Sequence, residues 1–201
     1  MIAVLTGMGL SAAAGLNAFI PFLVVALVAR FSDILTLPQE FVWIESWWAI
    51  GIAAVLLFTE VVLDKIPAVD TVNDAVQTFI RPSVGGLIFA ATSAAEQVDS
   101  SAWMADHPYV GIGLGVVVAG IVHTGKVVAR PAINAGTLGA GGPVVSAAED
   151  TASVGLSLIA IFIPVLVVAA LVLLGVGLFL LARKVRRWRR SRGNGVRRAT
   201  T

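Results

Sequence analysis

Cysteine is absent from this chain. Disulfides, thiolate nucleophiles, iron–sulfur clusters and cysteine zinc sites are therefore excluded. Charge is scarce as well: Asp, Glu, Lys and Arg make up 13% of the residues, against about 25% in an ordinary soluble domain. The two histidines are isolated and give no metal-ligand spacing, so no metal is expected. HExxH, GxSxG and phosphate-loop motifs are also missing. Neither a catalytic residue nor a cofactor is expected, and the chain does not read as an enzyme.

What is present is apolar. Hydrophobic residues form 58% of the chain and the mean hydropathy is +0.93. Too little polar surface remains to wet a globular fold, so the composition is that of an integral membrane protein. The N-terminal "MIAVLTGMGLSAAAGL" has no positive flank and reads as a retained span rather than a cleaved leader.

The fold expected is all-α, a polytopic membrane helix bundle of about six segments. Four are clear: Ile2–Ala29 (interrupted by Asn17 and Pro21), Trp47–Leu63, Tyr109–Val128 and Ala152–Ala182. The last is roughly thirty residues without a charge, more than a ~30 Å hydrocarbon core needs, so it must tilt or bend, with Pro164 as the bend. Pro82–Gln97 and Ala132–Ala148 are short, the second broken by glycines and Pro143. Both read as short or re-entrant helices shielded inside the bundle.

The domain division is a bundle over 1–182 and a basic, disordered tail over 183–201. Nine of the 14 Lys and Arg lie in that tail, which is expected to attract anionic lipid headgroups rather than nucleic acid. With six segments and both termini inside, Lys65, Arg81, Lys126, Arg130 and the tail fall on the inner side. Arg30 is the single basic residue outside, together with Asp33, Glu40, Glu45, Asp99, Asp106 and Asp150. Trp43, Trp47, Trp48, Trp103 and Tyr109 then share the outer interface, where amphipathic rings prefer to sit. Both termini are expected to be cytoplasmic.

"RPSVGG…SAAEQ" from Arg81 is echoed by "RPAINAGTLGAGG…SAAED" from Arg130, which suggests two parallel helix hairpins. Glu60 and Asp64 lie at i and i+4 near the inner end of one span, and Lys126 and Arg130 at i and i+4 near the inner end of another. Residues four apart share a helix face, so an acidic and a basic face meet if the hairpins pack together. Arg81-Pro82 and Arg130-Pro131 read as helix starts, where an arginine beside free N–H groups makes an anion site. Asp70 is placed to cap "TVNDAVQTFI" after Pro67 breaks the preceding helix. His123 is expected to be buried and hydrogen-bonded, and Asn17 to bond a neighbouring helix. Gly7, Ser11 and Gly15, like Gly111 and Gly115, have the spacing for close helix contact within the monomer or in a homo-oligomer.

"GLSAAAGLNAFIP", "EVVLDKIPAVD", "FIRPSVGG" and "GGPVVSAAED" together resemble the membrane-protein family called domain of unknown function four-one-two-six. The resemblance implies a small multi-span bacterial membrane protein and brings no activity with it. From the residues themselves, the expectation is a transporter or channel for a small solute, ion or lipid headgroup. Its substrate-binding centre would be Glu60, Asp64, Lys126 and Arg130, with Arg81 at the mouth. The alternative is a non-transporting scaffold that assembles partners through its small-residue faces and tail.

Overall fold

The computed structural model describes residues 2–64, 66–95, 107–136, 141–177, 179–180 and 183, with the backbone alone at 67, 68, 70, 71, 131, 132 and 134–136. Lys65, Asp99, Trp103, Asp106 and the tail beyond Arg183 lie outside the described residues. Every regular element described is helical: α1 (Ile2–Leu16), α2 (Phe19–Phe31), a 3-10 segment (Gln39–Glu45), α3 (Trp47–Leu63), α4 (Pro67–Ser93), α5 (Pro108–Gly136), α6 (Gly141–Phe162) and α7 (Leu166–Gly177). Two stretches, Pro108–Arg130 and Gly141–Phe162, are long and apolar enough to cross a bilayer. The 3-10 segment and α3, bent by 57°, make a third candidate. The architecture is a polytopic helical bundle.

Small residues fix how α1, α4 and α5 pack. Gly7 lies against Phe89, Ser11 Oγ donates to the Gly85 carbonyl at 2.8 Å, and Gly15 meets Ala119 and Val122. Gly85 and Gly115 face each other across the α4–α5 contact. Without large side chains between them the backbones approach closely, which is how helices gain dispersion energy in lipid. The glycine faces are thus filled inside one protomer. The same contacts set direction: α1 and α5 run towards one end of the bundle and α4 runs away from it.

The first apolar stretch is not one span. The chain reverses at Asn17 and Ala18, so α1 and α2 run in opposite senses. Asn17 Oδ1 accepts from the N–H groups of Phe19 (3.1 Å) and Ile20 (3.2 Å), and Asn17 Nδ2 donates to Asp150 Oδ1 at 2.9 Å. One buried amide therefore caps α2 and ties the turn to α6, which lets irregular backbone persist at membrane depth. α2 returns to the aromatic end, where Phe22 meets Trp43, Trp43 stacks on Trp48, and the Arg30 guanidinium lies 4.1 Å from the centre of the Trp47 ring. Asn17→Ala is expected to lower stability by about 1–2 kcal/mol, with Asn17→Ser recovering part of it, read by thermal unfolding in detergent.

The C-terminal apolar stretch also folds back. α6 begins at Gly141, ahead of the expected Ala152, and the break falls at Pro164 as expected. Past it the chain reverses rather than tilts: Gly9 faces both Ala160 and Val167, and Leu171 packs in the same cluster as Leu156. The two reversals place the start of α1 at the aromatic end and the end of α7 at the opposite one. The expectation of both termini on one side took Ile2–Ala29 as a single span, and the structure divides that stretch into α1 and α2.

Two further expectations are corrected. Pro82 does not start a short helix: α4 runs unbroken through it, with Pro67 in its first turn and Ile66, not Asp70, at the N-cap. A proline at the first helical position suits the start three residues upstream of Asp70. Arg130-Pro131 likewise lies inside α5. Neither arginine sits at a helix N-terminus, so neither makes a helix-end anion site. The hairpins α3–α4 and α5–α6 do run in the same sense. Their echoed residues are not equivalent, because Gly85-Gly86 is in mid-helix and Gly141-Gly142 opens α6.

Candidate functional site

The end of the bundle opposite Trp43, Trp47 and Trp48 holds a buried network of ions drawn from four helices. α3 supplies Glu60 and, at its C-cap, Asp64. α4 supplies Asn73, Asp74, Gln77 and Arg81, spaced three or four apart on one face. α5 supplies His123, Lys126 and Arg130, and α6 supplies Glu149. Glu60, Asp64, Arg81, Lys126 and Arg130 are each between 0% and 4% exposed. All five site residues expected from the sequence are therefore brought together.

Asp64 is the hub. Its Oδ2 lies 3.0 Å from Arg130 Nη2, 3.2 Å from Lys126 Nζ and 3.8 Å from Arg81 Nη2, while Oδ1 accepts from Asn73 Nδ2 at 2.7 Å. Arg81, fully buried, donates to Glu60 Oε1 at 2.6 Å and to the Gly15 carbonyl at 3.3 Å. Glu60 thus pairs with Arg81 in the neighbouring helix. Lys126 also donates to the Leu16 carbonyl at 3.3 Å and meets Glu149 at 3.0 Å. Arg130 reaches Glu149 at 2.8 Å and Asp74 at 3.6 Å. His123 shares a 3.0 Å hydrogen bond with Thr78 and lies 3.5 Å from Arg81.

Buried charges of this kind persist only when paired and hydrogen-bonded. Here the last carbonyls of α1, which carry the negative end of its dipole, complete the shells of two cations. The turn at Asn17 and the ion network are thereby one construction. Four carboxylates face three cations, and Glu60 Oε2, Asp74 Oδ1, Gln77 Oε1 and Arg81 Nε are buried without a hydrogen-bonding partner among the described residues. Thirteen residues of α3 separate Trp47 from Glu60, about 20 Å of rise. That rise is about two thirds of a ~30 Å hydrocarbon core.

Asp150, expected on the opposite side from Glu60, lies beside this network through Asn17, because α6 starts at the charged end. Asp74, Asn73, Gln77 and Glu149 were not among the expected residues. The signal for the first three was the polar stripe ending at Arg81, hidden once Pro82 was taken as a helix start. Glu149 had no such signal, since it only becomes a partner when α6 begins before it. His107 sits at the far end against Tyr109, with ring centres 5.6 Å apart.

The site and fold define a helical membrane protein with a buried ion network at a break in its first helix pair. The family model described as domain of unknown function (DUF4126) matches residues 4–184, and the chain belongs to that family. No curated protein and no solved structure matches it.

Proposed function

We propose that the protein is a carrier that moves a small solute, ion or lipid headgroup across a bacterial inner membrane. The buried network of Glu60, Asp64, Arg81, Lys126 and Arg130 would be its working centre. The observation that carries this reading is the position of the network at the junction of α1 and α2. Ionisable groups inside a membrane are costly and mark pathways. Discontinuous helices whose ends meet polar groups are the usual frame of a transport site. Orientation follows from basic residues: the charged end and the tail face the cytoplasm, and α1 begins outside. The scaffold alternative loses its main support, because the small-residue faces are filled within the protomer.

Proteoliposomes test the proposal. Tracer uptake of inorganic ions and small organic anions and cations, with translocation of a fluorescent phospholipid, should give a flux that Glu60→Gln and Lys126→Met abolish while the protein stays folded. Folded protein without flux for any of these probes would contradict it.

A further inference from the structure

A groove of about 320 Å³ between α5, α6 and α7 runs up to the ion network. That volume is at the lower end of small-ligand sites, roughly 300–1,000 Å³. Its walls are apolar, formed by Leu16, Ala129, Ala152, Leu173 and Leu174, and its polar lining is Lys126, Arg130 and Glu149. An inorganic ion gains nothing from such walls, whereas a hydrocarbon chain packs against them.

The polar end is a built anion seat, and the protein's own carboxylate sits in it. Glu149 Oε2 lies 3.0 Å from Lys126 Nζ and 2.8 Å from Arg130 Nη2. The two cationic side chains are 1% and 5% exposed, whereas Glu149, at 13%, is more open than either. Two donors that hold one carboxylate oxygen can hold a phosphate oxygen in the same place. At the two cations the exchange is anion for anion: Asp64 stays within 3.2 Å of both, and the carboxylate displaced is the more open one, Glu149 at 13% exposure against 2% for Asp64.

We infer that this groove takes an anionic phospholipid from the bilayer, its phosphate replacing the Glu149 carboxylate between Lys126 and Arg130 and an acyl chain lying along Leu173 and Leu174. The inference deepens the carrier reading by naming the cargo class, and rests on that reading for any movement of the bound lipid. Binding itself is measurable without flux, so the two can fail separately.

Native mass spectrometry of the full chain in maltoside detergent tests it, with phosphatidylglycerol titrated against phosphatidylcholine and inorganic phosphate. The wild type should hold one phosphatidylglycerol in preference to phosphatidylcholine, and inorganic phosphate should not displace it. Glu149→Gln should tighten binding several-fold, because the internal competitor loses its charge. Ala152→Phe should weaken it several-fold by filling the groove, and Ala152 is exposed, so the larger ring does not enter the core. Neither substitution touches the basic tail, which separates the groove from headgroup attraction there. Unchanged affinity in both variants, equal binding of the two lipids, or displacement by inorganic phosphate would overturn the inference. Lipid held this way with no flux in proteoliposomes would remove the carrier reading alone.

Discussion

Asp64→Ala should cost more stability than any other single substitution in the ion network, on the order of 3–5 kcal/mol. Its carboxylate lies within 4 Å of Arg81, Lys126 and Arg130 and also accepts from Asn73. Removing it takes a close carboxylate from three buried cations at once, and losing a buried partner is expensive in a dry interior. Asp64→Asn keeps the shape and one hydrogen bond but not the charge, so it should recover little. Denaturation of the purified protein in detergent measures both. A loss of only about 0–1 kcal/mol, typical of an exposed pair, would mean that water reaches the network freely.

The second large effect is steric. A Cβ at Gly115 would lie 2.7 Å from the Phe89 Cβ and 2.8 Å from the carbonyl carbon of Gly85. Backbone cannot move aside as a side-chain tip can, so Gly115→Leu must force α5 away from α4. Overpacking of this kind costs about 1–3 kcal/mol, occasionally more, and here the separation also pulls Lys126 and Arg130 away from Asp64. The variant should lose folded yield as well as unfolding temperature. Gly113, with nothing within 4 Å of its Cβ position, is the control: Gly113→Leu should be nearly neutral.

The two charged faces were legible because i,i+4 spacing is a local property of a helix. Glu60 with Asp64, and Lys126 with Arg130, declare their faces without any tertiary information. The aromatic end was legible for the same reason, since Trp43, Trp47 and Trp48 are neighbours in sequence. The break at Pro164 follows from the residue's missing donor. The reversal at Asn17 was not legible. An asparagine inside an apolar run signals a hydrogen bond but not whether its partner is another helix or its own backbone, and here it is both.

Pro82 misled for a physical reason as well. Proline suits a first helical turn, yet neighbouring protein lets a membrane helix continue past one. Gly120 of α5 lies beside the Pro82 ring. Reading a helix start there detached Arg81 from Asn73, Asp74 and Gln77. Asp150 read as an outer-loop charge, because the helix that includes it begins among glycines and Pro143 rather than at a recognisable cap.

The central claim is that opposite charges neutralise one another inside the bundle, and a double-mutant cycle on Glu60 and Arg81 tests it most directly. The pair is 2.6 Å apart, and both side chains are essentially inaccessible. Thermal unfolding of Glu60→Gln, Arg81→Met and the double variant gives the coupling. Each single change should cost several kcal/mol, and the double variant should recover much of the loss, because it removes both charges together. Small, additive losses would contradict the account and return these residues to a solvated surface.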